Sequence, residues 1–296
     1  GEKLMNNNYM LFLDTDCDIT PEFAKKYDCG LISMPYTLNG EEIFPYQTTP
    51  DFDKDKFYSA LRAGAIPTTS GLDVGVYEGY FEPVLKSGND ILYVHFSRYM
   101  SGTFAAMDLA IKNLKEKYPD RKICTIDTKG ITYCSYAIVQ EIADLYKAGA
   151  PMEQLLEWAR VEVNKFVAYF FVNDLSFFKR SGRVKSMAAF VGNFFGIRPI
   201  LTMDSNGILR AIGKVRGLNK AVEKLIELTE KMGEDIKDHK VIIAHSDALA
   251  PAQVLEKELI SRYGSDLEID MHPMNPTAVC HTGPDGVGIC FHAKHR

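Results

Sequence analysis

At 296 residues, 46% of them hydrophobic, the chain is long enough for two domains of ordinary size, and two domains imply a cleft. Its 34 Lys and Arg are interleaved with 39 Asp and Glu for a formal net charge of -5, with no block of one sign, so it lacks the basic footprint of a nucleic-acid binder. The longest apolar run, residues 166–172, is far short of a bilayer span, and residues 1–8 lack the apolar stretch of a signal peptide, with Met5 as the expected native start. A cytoplasmic protein without stable membrane insertion is expected.

In chain order, residues 9–13 form a buried-strand pattern ending at Asp14-Thr15-Asp16, and Thr20-Pro21-Glu22 carries helix-starting chemistry for residues 21–27. Residues 31–38 read as a second strand, Asn39-Gly40 as a turn, 41–50 as an ordered loop and 53–63 as a helix. Thr68-Thr69-Ser70-Gly71 precedes a helical stretch that ends at Ser87-Gly88. Strands at 90–96 and 122–127 alternate with helices at 104–118 and 132–147, and a further helix runs from 151 to about 163. Regular alternation of this kind calls for a mainly parallel sheet covered on both faces.

After the apolar strand at 167–172 the pattern changes. Residues 198–203 and 208–215 flank the turn Ser205-Asn206-Gly207 as an antiparallel hairpin. Helices at 219–232 and 251–262 alternate with strands at 239–244, 267–271 and 287–292, which gives a smaller mixed-sheet domain. The expected division is an N-terminal α/β domain over residues 1–163 and a C-terminal mixed α/β domain over 164–296.

Three polar patches beside apolar segments carry the chemistry. Ser101-Gly102-Thr103 lies between a strand and a helix, where free backbone N–H groups favour an anion and Gly102 would let the backbone approach it. The hydroxyls of Thr68-Thr69-Ser70-Gly71 suit a carboxylate oxygen, and His281-Thr282-Gly283-Pro284 reads as a loop whose imidazole and N–H groups can also donate. Asp14-Thr15-Asp16, Asp127-Thr128-Lys129-Gly130 and Ser181-Gly182-Arg183 complete the rim. Arg183 is the preferred guanidinium, ahead of Arg198 and Arg216.

Ser101, His281 and Asp14 could instead be drawn as an acyl-transfer triad of a serine-dependent hydrolase, although Ser101 lacks the flanking glycines of a nucleophile elbow. No dinucleotide loop or Walker lysine follows a strand. The histidines at 239, 245, 272 and 281 fit no metal-ligand spacing, and Cys17, Cys29, Cys124, Cys134, Cys280 and Cys290 read as buried thiols in a reducing compartment. Neither cofactor nor metal is expected.

Taken together the patches resemble the signature of the DegV family of bacterial fatty-acid-binding proteins. Its Thr-Asp-Ser resembles Thr15-Asp16-Cys17, its Thr-Ser pair Thr69-Ser70, its Leu-Ser-Gly-Thr Met100-Ser101-Gly102-Thr103, and its Ile-Asp-Ser Ile126-Asp127-Thr128. Gly182-Arg183 and Arg198-Pro199-Ile200 are similar to later elements, and His281-Thr282-Gly283-Pro284 is unchanged. The chain departs from the pattern at Cys17, Gly71, Leu72 and Asp285.

The resemblance implies a two-domain α/β fold, with a three-layer α/β/α N-terminal domain enclosing the hydrocarbon of one long-chain fatty acid and the carboxylate near the domain junction. It implies a non-enzymatic carrier subunit that presents the carboxylate to a separate ATP-dependent fatty acid kinase subunit, giving acyl phosphate for phospholipid synthesis. By the same resemblance Thr69, Ser70, Ser101, Gly102, His281 and Thr282 form the ligand site, and Arg183 the charged surface beside it.

Overall fold

The computed structural model describes residues 8–185 and 196–296. The first half runs β1 (Tyr9–Asp14), α1 (Pro21–Tyr27), β2 (Gly30–Ile32), β3 (Tyr36–Leu38), β4 (Glu41–Ile43), α2 (Lys54–Arg62), β5 (Thr68–Thr69), α3 (Val74–Lys86), β6 (Asp90–His95), α4 (Thr103–Lys117), β7 (Ile123–Asp127), α5 (Tyr133–Lys147) and α6 (Met152–Glu162). The second runs β8 (Phe166–Phe171), α7 (Ser176–Ser181), β9 (Val184–Lys185), β10 (Ile197–Met203), β11 (Leu209–Arg216), α8 (Leu218–Met232), β12 (Val241–Ser246), α9 (Leu249–Tyr263), β13 (Ile269–Pro273), α10 (Pro276–Thr282) and β14 (Gly286–His292).

The architecture is two-domain α/β. Strands β2-β1-β6-β7 form a parallel sheet in that order, as the alternation with helices requires. The second sheet is mixed, in the order β13-β12-β14-β8-β10-β11-β9. In it the expected 198–215 hairpin pairs as β10–β11, and β14 runs antiparallel between β12 and β8.

Four expectations change on folding. The single strand at 31–38 is two: β2 ends at Ile32, and β3 joins a separate small antiparallel sheet with β4 and β5. Pro35, between them, has no N–H to continue a ladder. The first residues of the expected 41–50 loop are β4. Thr68-Thr69 is not loop but β5. The fourth change concerns His281, which is not in a loop but in the last turn of α10. There Asn275 caps the helix by accepting from the Ala278 N–H, and Pro276 opens it.

Strand β8 shows how the two sheets share a core. Its side chains alternate, so Phe166, Ala168 and Phe170 join the core of the first sheet while Val167, Tyr169 and Phe171 join a second core under α8 and α9. Helix α5 packs against β8, β12 and β14, which places its N-terminus at the junction. Among the described residues no helix is long and apolar enough to cross a membrane.

Candidate functional site

The interior of the first sheet is filled. Phe12, Tyr77, Phe81, Tyr93 and Phe104 are almost wholly buried and pack edge-on or tilted against one another and His95, leaving the free space elsewhere. It lies at the domain junction, as a slot of about 60 Å³ partly open to solvent.

Both halves of the chain build its apolar walls. Met34, Phe96, Met100 and Ile131 come from the first, and Phe170, Phe178, Met203, Leu209 and Met274 from the second. The first half contributes the segments that follow its parallel strands, at Asp16, Met34 and Phe96, and the second contributes Phe170, Met203 and Leu209 from β8, β10 and β11.

One end of the slot is polar. Thr69, held at the end of β5, and His281, presented by α10, meet at 2.9 Å between Oγ1 and Nε2. The buried Nδ1 of His281 has no hydrogen-bond partner among the described residues. Burial, with the Arg183 guanidinium adding to it, pulls the imidazole down to about 4, so the ring is neutral at physiological pH.

Ser101 lines the same slot, and its Oγ accepts from the Thr103 N–H at 3.1 Å, leaving its proton available to a ligand. The hydroxyl of Thr103 turns inward, accepting from the Leu72 N–H at 2.9 Å and lying 2.8 Å from the Tyr77 hydroxyl. The Leu72 bond seats the segment that follows β5 beside the start of α4. Gly71 permits that approach, since a Cβ there would lie 3.0 Å from Thr103 Cα.

The remaining candidates divide. Ser70, Thr282 and Arg183 line the slot; Ser70 donates to Glu42 at 3.4 Å, Thr282 to the Gly283 carbonyl at 3.0 Å, and Arg183 to the Ser181 and Met100 carbonyls at 2.8 and 3.3 Å. Gly102 lies in an outer groove next to the slot with ordinary helical dihedrals, and a Cβ there would meet no atom within 4 Å.

Asp127 and Thr128 are engaged locally, by the Lys129 N–H and the His95 carbonyl, and Arg198 and Arg216 stand on β10 and β11 away from the slot. Asp16 does reach it. Thr132 also lines it, although sequence reasoning treats that residue only as a helix start.

The bonds that would make an acyl-transfer triad are not formed. His281 Nε2 is engaged by Thr69, its Nδ1 meets no carboxylate, and Asp14 accepts from Tyr93, Phe96 and Cys17 instead. The other histidines are engaged elsewhere: His239 binds Glu141 and stacks on His292, and His272 binds Asp18 and Asp270 at 2.9 and 3.0 Å. Among the described residues no group of three or more His, Cys, Asp or Glu gathers as a metal ion would need.

Residues 9–294 match the family model described as "Uncharacterised protein, DegV family". The chain is 29% identical over 282 residues to the DegV domain-containing protein YteA of Lactococcus lactis, covering 95% of this chain and 96% of that one. Among solved structures it is similar to a DegV lipid-binding protein from Thermotoga maritima, with TM-score 0.80 and 26% identity over 97% of this chain and 99% of that one. It is also similar to TM841 of the same organism, whose structure reveals fatty acid binding function, with TM-score 0.78 and 26% identity over 96% and 99%. The match spans nearly all of the sequence, and so the chain belongs to the DegV family.

Proposed function

We propose that the protein binds one long-chain fatty acid in the junction slot, with the carboxylate held by Thr69 and Ser101 and with His281 beside it orienting the Thr69 hydroxyl. The observation that carries this reading is a narrow, mostly apolar slot that ends on a neutral buried imidazole and two hydroxyls. With its proton on Nε2, His281 donates to Thr69, which frees the Thr69 hydroxyl to donate to one carboxylate oxygen while Ser101 serves the other. Arg183 supplies positive charge close by. Each buried methylene contributes about 0.8 kcal/mol, so the tail supplies affinity and the polar end sets its direction. The similar Thermotoga maritima proteins, one lipid-binding and one with fatty acid binding function, support the ligand class.

In this reading the protein is a carrier without phosphoryl-transfer machinery of its own. It presents the carboxylate to a separate ATP-dependent kinase subunit that forms the acyl phosphate, with residues 1–163 and 164–296 as its two domains. The test is mass spectrometry of lipid released from the purified protein, followed by reloading. One fatty acid per chain is expected; no stoichiometric lipid, even after incubation with fatty acids, would overturn the assignment. ATP-dependent acyl phosphate formation by a kinase subunit only when the loaded carrier is added tests the second half.

A further inference from the structure

Besides His281 Nδ1, two side-chain atoms in the slot are buried with no hydrogen-bond partner among the described residues, Asp16 Oδ1 and Thr132 Oγ1. Asp16 is 5% exposed and Thr132 2%. Their backbones are tied together, since the Thr132 N–H donates to the Asp16 carbonyl at 2.8 Å. Buried polar groups in folded proteins nearly always find partners, so two orphans side by side in one slot wall point to a ligand.

Thr132 occupies the N-cap position of α5, where a threonine ordinarily accepts from a backbone N–H of the first turn. It makes no such bond. Its dihedrals, φ 49° and ψ -127°, are costly for a β-branched residue. The hydroxyl is thus withheld from its usual local task.

The charge around Asp16 narrows the ligand chemistry. Asp14 and Asp18 lie close enough to act on it, and both are already engaged, Asp14 by Tyr93 and Phe96 and Asp18 by Asn275 and His272. Burial first, then these two carboxylates, pushes the Asp16 carboxyl well above the usual range. An anionic group is disfavoured beside Asp14 and Asp18. A hydroxyl matches the pair: it accepts from one member and donates to the other.

We infer that Asp16 and Thr132 form a second polar station in the slot, which recognises a hydroxyl on the hydrocarbon of the bound acid, so that the preferred cargo is a hydroxylated fatty acid. This rests on the fatty-acid reading given above. A plain methylene chain leaves both atoms unpaired, whereas a hydroxyl at the right depth satisfies them.

The test compares stearic acid with a set of monohydroxylated stearic acids, the hydroxyl placed at successive points along the chain, on the delipidated full chain. At least one positional isomer is expected to bind about tenfold more tightly than stearate, the usual consequence of pairing an otherwise unsatisfied buried group. In Thr132→Val and Asp16→Leu that ratio is expected to fall to about twofold or less. The ratio is taken within each variant, so a general loss of affinity cancels, and Thr132→Val answers the question if Asp16→Leu does not fold. Stearate binding with no isomer preferred would mean that the station holds only water, and would overturn the inference while sparing the fatty-acid reading. A preference that persists in both variants would also overturn it, and failure of every acid to bind would remove both.

Discussion

His281 and Thr69, 212 positions apart in the chain, meet at 2.9 Å between Nε2 and Oγ1. The contact joins α10 of the second half to β5 of the first at the polar end of the junction slot. Removing the Thr69 hydroxyl should cost ligand without costing fold. Thr69→Val and Ser101→Ala are each expected to weaken fatty-acid binding about tenfold to a hundredfold, as for loss of a hydrogen bond to a charged group. Displacement titration checks the affinity, and a thermal melt within a few degrees of the parent checks the fold.

Acid stability reports on His281. Its pKa in the folded chain, about 4, lies below the ordinary 6.5, so between these values the unfolded chain takes up the extra proton. The contribution is whole above about pH 6.5 and is lost as pH falls through 6.5 toward 4. His281→Gln is expected to flatten that limb, by up to about 3 kcal/mol across it, in urea unfolding curves taken at successive pH values.

His272 has the opposite sign. Burial draws its imidazole down, but hydrogen bonds to Asp18 and Asp270 outweigh that and lift it to about 9, while the same bond lowers Asp270. Its contribution is whole below about pH 6.5 and is lost as pH rises from there through about 9. His272→Gln should flatten the alkaline limb and lower stability at neutral pH by about 3 kcal/mol, because Asp18, buried in the first half of the chain, loses its charged partner. Unchanged urea midpoints would show that the clasp does not hold the halves together.

Gly288, in the middle of β14, lies against Tyr133 at the start of α5. A Cβ there would fall 2.2 Å from the Tyr133 ring. Gly288→Ala is expected to destabilise the protein by about 1–3 kcal/mol through overpacking. Tyr133 also lines the slot, so displacing its ring should lower the amount of lipid retained. Calorimetry and lipid extraction on one preparation check both.

Much of the fold was legible. The alternation of apolar strands with amphipathic helices specified the parallel sheet, and Ser205-Asn206-Gly207 specified the β10–β11 hairpin. The short helix α10 was misread because Ala278-Val279-Cys280 suits a buried strand as well as a helix, and the Asn275-Pro276 start signal was passed over. Pro35 marked the break between β2 and β3 in the same way.

Of the candidate site, Thr69, Ser70, Ser101, Arg183, His281 and Thr282 do line one slot. Its walls were not legible, because Met34, Phe170 and Met203 look like any core residue until the space beside them is seen. Thr132 escaped because a threonine before a helix reads as a cap, and nothing in its neighbours announces a positive φ.

Because side chains from both halves of the chain line the slot, an acyl chain seated there would touch the two at once and add contacts that the empty protein lacks. Emptied protein should therefore be the softer and more readily melted form.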